Sequence, residues 1–353
     1  MLAMSFSGVR CLVTGHTGFK GSWLCRWLSL DGAHVAGLSL APEPGRPNLF
    51  EDLGLTGEMV STIGDIRDFD TVKRCLNAFN PDIVFHLAAQ PLVRRSYADT
   101  VGTFATNVQG TVHVLEAARQ CPSVRAIVCV TSDKCYDNRE WVWGYRETDP
   151  LGGADPYSAS KGAAEIVAGS YARTIFPREG RIHLATARGG NVIGGGDWSE
   201  DRLVPDVVRA IAAKQPLVIR SPGAIRPWQH VLELVRGYVT LGSRLLSGDK
   251  VEGAWNFGPT REAEITVQQL LDKLLDTWKG NGLEISIEPS QLKESNFLKL
   301  DISKADAQLQ WRPILGIDET LKLTVDWYRA YAADPTSALN CTNRQLAEYR
   351  RRV

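Results

Sequence analysis

The chain has 353 residues, enough for two lobes or one large elaborated domain. Its 40 basic and 40 acidic side chains cancel, which excludes nucleic-acid binding through a broad basic surface; 44% hydrophobic and 23% charged residues exclude wholesale disorder. No apolar run approaches the roughly 18 residues of a membrane helix, and the N-terminal stretch MLAMSFSGVRCLVTG lacks the pattern of a secretory signal. The seven cysteines are odd in number and form no CxxC pair, so neither a disulfide framework nor a metal site is expected, and a reducing cytoplasm fits best.

Arg10–Thr14 reads as a strand, followed by a Gly-rich turn and a helix through Leu30. His34–Leu40 is the second strand and Ser61–Gly64 a short third. Asp68 caps a helix running to Phe79, and Ile83–Leu87 is a fourth, near-continuously apolar strand. A long helix over Thr100–Gln120 precedes a fifth strand, Ala126–Thr131. This alternation describes a doubly wound α/β fold, a parallel sheet covered on both faces, with ligands beyond the carboxyl ends of its strands. Beyond about Arg188 the pattern changes. Gly189–Asp197 is loop-like, Leu203–Lys214 helical, Ser221–Trp228 turn-rich and Thr266–Trp278 helical. The expected division is a dinucleotide-binding domain over 1–188, with a returning segment near 229–258, and a smaller substrate-binding lobe over 189–353.

The first strand runs into Thr14–Gly21 (TGHTGFKG), where Gly15, Gly18 and Gly21 form a GxxGxxG pattern that opens a helix. Glycines there let backbone amides approach a pyrophosphate at the helix N-terminus, as in a Rossmann sheet. Gly15, Thr17, Gly18, Phe19, Lys20 and Gly21 are therefore candidate cofactor residues. The second strand ends Leu38-Ser39-Leu40-Ala41 without the usual ribose-binding acid, and Arg46 lies just beyond, which leaves NAD and NADP both open. Asp65 and Ile66 are candidates for the adenine, although a helix-start aspartate is an equal explanation. Leu87, Ala88 and Ala89 are small enough for a cofactor to pass closely.

Asp155 and Pro156 start a helix as N-cap and first helical residue. Tyr157 and Lys161 then share one face at i and i+4. A lysine beside a phenol, with a nicotinamide cation close by, lowers the phenol toward a usable base. Ser132 sits at the carboxyl end of the fifth strand, where the sheet delivers reactive groups.

Glycine loop, strand-end hydroxyl and YxxxK helix together resemble the extended short-chain dehydrogenase/reductase family, essentially end to end. Asn107 matches that family's helix asparagine, and Arg188, Asn191 and Arg226 resemble its contacts to sugar-nucleotide phosphates. Asp133-Lys134 stands where dTDP-glucose dehydratases carry Asp-Glu and epimerases carry no acid–base pair. The strings TSDKCYDNREWVWGYRE, AAQPLVRRSY, GNVIGGGDW and AIRPWQHV are similar to the dehydratases that act on CDP-glucose. The resemblance implies NAD as cofactor and CDP-glucose as substrate, in deoxysugar biosynthesis of the O-antigen type. It implies Tyr157 as base at the 4-hydroxyl, tuned by Ser132 and Lys161, with Asp133 and Lys134 as acid and base of an elimination across carbons 5 and 6. Gln90 is a candidate sugar contact. A homodimer through the Thr100–Gln120 and Tyr157 helices is implied, with a tetramer compatible. The competing readings are another sugar-nucleotide dehydratase or 4-epimerase, and a non-catalytic dinucleotide sensor, which need not keep hydroxyl, Tyr and Lys together.

Other residues carry weaker claims. His16 is read as shaping the glycine turn, and His86 and His230 as core residues. Trp141, Trp143 and Trp198 lie in candidate substrate loops, where stacking on a base and core packing compete. Arg94 and Arg95 are either phosphate contacts or solvated.

Overall fold

The structure is a computed structural model that describes residues 5–279, 283–288 and 297–353, so the first four residues of the N-terminal stretch lie outside the described residues. The apolar runs of the first half pair because they have no polar face to offer water. β4 (Ile83–His86) and β5 (Ala126–Val130) are buried along their whole length, and β1 (Arg10–Thr14) is buried except at Arg10. With β2 (His34–Ser39), β3 (Val60–Ile63), β6 (His183–Gly189) and β11 (Gly253–Phe257) they form one parallel sheet in the order β3-β2-β1-β4-β5-β6-β11. Strand order reverses between β1 and β4, so the crevice above their carboxyl ends is where a dinucleotide belongs.

β2, β4 and β5 each stop one residue short of the expected end, as the chain leaves the ladder to form a loop over the sheet's edge. Thr100–Gln120 is not one uniform helix. It divides into Thr100–Phe104, a π-helical turn Ala105–Gln109 that carries Asn107, and Gly110–Gln120. At Gly110 a Cβ would run into Ile66, so the missing side chain lets the segment after β3 pack closely. Lys214 is the left-handed cap of the Leu203–Ala213 helix, at φ 52°. Thr266 caps Val267–Trp278 in a reciprocal pair with Gln269.

Two stretches expected as loops contain short strands. β7 (Val192–Ile193) pairs with β10 (Gln229–His230), and β9 (Ile225–Pro227) pairs antiparallel with β12 (Glu264–Thr266). At two or three residues they are too short for alternation to be legible. The returning segment contributes the helix Val231–Leu246 against β5 and β6, and then β11. At the C-terminus, the helices Ile317–Ala333 and Ala338–Arg350 pack on each other, and the second meets the end of the first helix, Phe19–Leu30, where Arg350 pairs with Asp31 (2.5 Å), and the Val231–Leu246 helix, where Tyr349 donates to Glu233 (2.5 Å).

The histidines at 16, 86 and 230 are all buried. His86 bonds Thr14 (2.7 Å) and Thr111 (3.1 Å), and His16 bonds Ser61 (2.8 Å). His230 caps the Val231–Leu246 helix, accepting from the Leu232 amide (3.3 Å). Burial lowers His16 to about 4 and His86 and His230 to about 3. The unfolded chain therefore takes up protons below the ordinary histidine value of about 6.5 while the folded chain does not. Stability is complete above that pH and lost as pH falls, by about 2 kcal/mol per histidine at pH 5. The melting temperature is expected to drop steadily from pH 7 to pH 5; a flat profile across that window would refute the neutral core histidines.

Candidate active site

The glycine loop is shaped by what its glycines leave out. Gly15 has φ +76°, and a Cβ there would lie 2.8 Å from the Ala88 nitrogen; at Gly21 it would strike the Gly15 carbonyl. Leu87 and Ala88 are drawn against this loop by bonds from their amides to the Thr14 carbonyl (3.1 Å) and hydroxyl (3.2 Å). Gly18 caps the Phe19–Leu30 helix without a side-chain bond, and the first turn holds no acid, so the leading amides remain for an anion. This cradle fits a dinucleotide pyrophosphate. Thr17 fastens the loop to the end of β2, bonding the Ser39 hydroxyl (2.7 Å) and the Leu40 carbonyl (3.0 Å). Phe19 packs on the core beside Gly194.

Arg46 is held by Glu43 (2.7 Å) and Glu200, so its charge is already matched by two carboxylates. Asp65 is paired with Arg67 (2.6 Å), which holds its carboxyl below the usual range through that hydrogen bond. Ile66 is buried, and its carbonyl bonds His113 (2.9 Å). Asn107 donates to the Gln90 carbonyl (3.0 Å) and to Ser160 (2.9 Å), and accepts from the Gln90 amide (2.7 Å). Its amide is thus used to tie the loop after β4 to the Tyr157 helix.

Beyond the carboxyl end of β5, Ser132 opens a 3-10 turn, Asp133–Cys135, and accepts from the Lys134 amide (3.2 Å). Asp155 caps Pro156–Ser170 by accepting from the Ser158 amide (2.9 Å), which sets Tyr157 and Lys161 one turn apart, both buried. Ser132, Asp133, Lys134 and Tyr157 line one cavity of about 320 Å³. Asn191, Arg226, Arg94, Lys20 and Trp228 line it too. Gly190 is needed here, since a Cβ would sit 3.0 Å from the Asp133 carboxylate.

Several expected contacts lie elsewhere. The Gln90 side chain turns into its own loop, bonding Leu92 (2.6 and 3.1 Å) and Thr103 (2.9 Å), and is not in the cavity wall. Arg188 is buried beneath the site against Glu165 (2.7 Å), so it is not a phosphate contact in this structure. Trp141 stacks on Tyr145 at 5.1 Å, Trp143 is exposed, and Trp198 packs on Trp327, Tyr328 and Tyr331. The cavity tryptophan is Trp228, buried with its indole nitrogen unpartnered. Its sequence signal was the run IRPWQHV, where the neighbouring arginine drew the attention. Arg94 pairs with Asp201 (3.2 Å), which also takes Arg220 (2.8 Å); Arg95 is exposed. Arg202, on the wall and paired with Asp197 (2.9 Å), carried no signal in the sequence.

The charges are strongly biased by burial. Burial pushes Tyr157 up to about 12, opposed by a hydrogen bond from Ser132 and by the Arg202 charge. Lys161 stands one turn from Tyr157 on the same helix, and burial lowers it. Asp133 is raised by burial against the pull of Lys134, the Ser132 hydrogen bond (2.9 Å) and Arg226, and its second oxygen has no partner. Lys134 is half-buried. Lys20 is the lysine that faces Lys161, and burial with Lys161 and Arg202 lowers it to about 7. The site therefore combines a carboxyl whose proton affinity burial raises, a phenol, a hydroxyl and several amino groups, a set suited to moving protons on a polyhydroxyl substrate bearing phosphate. Among the described residues no cluster suited to a metal ion is found, and no helix is long and apolar enough to cross a membrane.

Comparison with known proteins places this arrangement. The GDP-mannose 4,6 dehydratase family model matches residues 12–324. The chain is 48% identical over 349 residues to CDP-glucose 4,6-dehydratase of Salmonella typhimurium, covering 98% of this chain and 97% of that protein. Among solved structures it resembles UDP-glucose 4-epimerase from Thermotoga maritima, with TM-score 0.80 and 25% identity over 92% of this chain and 100% of that one. It is also similar to dTDP-glucose 4,6-dehydratase from Streptomyces venezuelae, solved with NAD bound, with TM-score 0.79 and 26% identity over 93% and 100% of the two chains.

Arg46 is engaged by Glu43 and Glu200 rather than left to meet a 2′-phosphate. Titration with both dinucleotides is expected to show tighter binding of the form without the 2′-phosphate, and Arg46→Ala should leave that order unchanged. Tighter binding of the phosphorylated form would overturn the assignment.

Proposed function

Because the chain belongs to the GDP-mannose 4,6 dehydratase family, we propose that it converts CDP-glucose to CDP-4-dehydro-6-deoxyglucose and water. The observation that carries this reading is the shared cavity of Ser132, Asp133, Lys134 and Tyr157, in a chain nearly half identical to a CDP-glucose 4,6-dehydratase. NAD, when bound, supplies the hydride acceptor at carbon 4, the hydride donor at carbon 6 and a positive ring of the sign that lowers a phenol's pKa. Gly15, Thr17, Gly18, Phe19, Lys20, Gly21, Asp65, Ile66 and Leu87–Ala89 form its bed in this reading, with Asn107 fixing the loop beside it.

Tyr157 takes the proton of the sugar 4-hydroxyl, with Ser132 on the same cavity wall. The resulting ketone acidifies the hydrogen at carbon 5, which Lys134 removes. Asp133, whose proton affinity is raised by burial, is the acid that gives its proton to the departing 6-hydroxyl, and water leaves. Lys134 returns a proton to carbon 5 as carbon 6 is reduced, and the proton Tyr157 took replaces the one Asp133 gave. Arg226 and Asn191 suit the diphosphate, since a guanidinium makes planar charge-assisted bonds to phosphate oxygens.

The assignment of 1–188 and the returning segment to the cofactor, and of the remaining chain to the sugar nucleotide, goes with this reading. So do a cytoplasmic location and the absence of nucleic-acid and membrane partners. A homodimer accounts for the exposed apolar residues Val101 (83% exposed) and Ile166 (60%) on the Thr100–Phe104 and Pro156–Ser170 helices.

Incubation with CDP-, UDP-, GDP- and dTDP-glucose tests the substrate, and a 4-keto-6-deoxy product is expected from the CDP sugar. No product from it would end the proposal. Tyr157→Phe should remove the first oxidation by about 10²–10⁴-fold, the usual worth of general base catalysis, while CDP binding persists. The acid and base are separated in heavy water. Lys134→Met should still oxidise carbon 4 but stop deuterium entering at carbon 5, whereas Asp133→Asn should permit exchange and slow loss of the 6-hydroxyl. The opposite pattern would exchange their roles.

A further inference from the structure

We propose that Glu165 is a positioning residue that holds the oxidising and eliminating groups of the site in register. The inference rests on the dehydratase reading above. Tyr157 and Lys161 lie on the helix Pro156–Ser170, while Ser132, Asp133 and Lys134 lie on the turn that follows β5. A single substrate must meet both sets in one turnover, yet no hydrogen bond between their backbones sets the spacing.

Glu165 supplies the connection. It follows Lys161 by four positions and Tyr157 by eight, so all three share one helix face. Its carboxylate is buried and its two oxygens are divided between targets. One accepts from the Thr131 hydroxyl, directly before Ser132. The other accepts from Thr186 (2.9 Å) and from Arg188 (2.7 Å). Arg188 passes the connection on by donating to the Tyr136 hydroxyl (2.7 Å), which in turn donates to Asn256 on β11 (2.7 Å). The reactive stretch Ser132–Cys135 is thus bracketed at both ends, at Thr131 by the carboxylate and at Tyr136 through its guanidinium partner. Consecutive Cα atoms are fixed about 3.8 Å apart, so restraint at both ends leaves the four residues little freedom relative to the helix.

The consequence concerns partition between steps rather than binding. Oxidation at carbon 4 needs the helix groups and Ser132, whereas elimination needs Asp133 and Lys134 placed against the same sugar. Loosening the bracket shifts the second set relative to the first. The substrate is then still oxidised, but waits in the oxidised state. An ordinary buried ion pair would instead lower stability and slow both steps alike.

The test is made on the full chain with CDP-glucose and NAD. Thr131→Val cuts one bond of the bracket with little change of shape, and Thr131→Ser restores the hydroxyl. The pair Glu165→Leu with Arg188→Met removes both charges together, since removing either alone strands the other in the core. Melting temperature, CDP binding, reduced-cofactor absorbance and dehydrated product are followed for each. Thr131→Val, which leaves one Glu165 oxygen without its donor, is expected to melt somewhat lower but to bind CDP as the unsubstituted protein does, to accumulate reduced cofactor, and to lose product formation roughly 10-fold. The charge-free variant should lose about 10²-fold, the effect of misplacing groups by about 1 Å. Thr131→Ser should return the balance of the two steps. Equal loss of oxidation and elimination in Thr131→Val, no change in either, or failure of Thr131→Ser to restore the balance would overturn the proposal, even if the charge-free variant does not fold. Product formation by the unsubstituted protein in the same assay tests the substrate reading separately.

Discussion

Two opposite charges, on Glu165 and Arg188, lie where water barely reaches them, with side chains 3% and 4% exposed. Removing such a pair from water costs several kcal/mol per ion, and attraction alone does not offset it unless nearly every polar atom finds a partner. Here the carboxylate takes three donors, and the guanidinium reaches Tyr136, the Glu147 carbonyl and the face of the Tyr136 ring at 4.9 Å. Those partners come from β5, β6, the segment after the reactive turn and the Tyr157 helix. Burial by itself would lower the arginine, but the Glu165 charge overrides it and holds it well above its ordinary value. The arginine stays charged, and the elements around the pair have one way to meet.

Above that pair the cavity balances an excess of cations with a few carboxylates. Lys20, Lys161 and Arg202 repel one another, while Asp133 and Asp197 draw Lys20 toward its charged form. Such a wall favours an anionic ligand, because every phosphate oxygen it admits relieves repulsion among its own groups. Burial raises Asp133 and lowers Lys20 and Lys161, which brings the proton affinities of carboxyl and amino groups toward one another, as a sequence of proton transfers on one sugar requires.

The first five strands were legible in the sequence, β1, β4 and β5 because burial on both faces makes them read as apolar runs, whereas β6 and β11 were not read as strands. The glycine loop and the Tyr157 helix were legible because their chemistry is local: a turn that cannot bear side chains, and an N-cap followed by proline. What was not legible depends on long-range contact. Gln90 and Asn107 look like ligand contacts in the chain, and only the fold shows them bonded to each other's segments. Arg188 looks like a phosphate contact until its partner, 23 residues earlier, is seen beside it. Lys20 and Lys134 meet on one cavity wall although 114 residues separate them. The two-residue strands around Val192 and Gln229 exist only as a pair.

His16 and Gly37 show how far such dependence reaches. A Cβ on Gly37 would fall inside the His16 ring, so β2 gives up a side chain to make room for the imidazole that supports the glycine loop. Phe50 closes the other side edge-on, at 5.0 Å. The two positions behave as one volume divided unequally. A lineage that enlarges residue 37 must shrink residue 16 in the same step or lose the loop, so the history of substitution at these sites is correlated although 21 residues separate them in the chain.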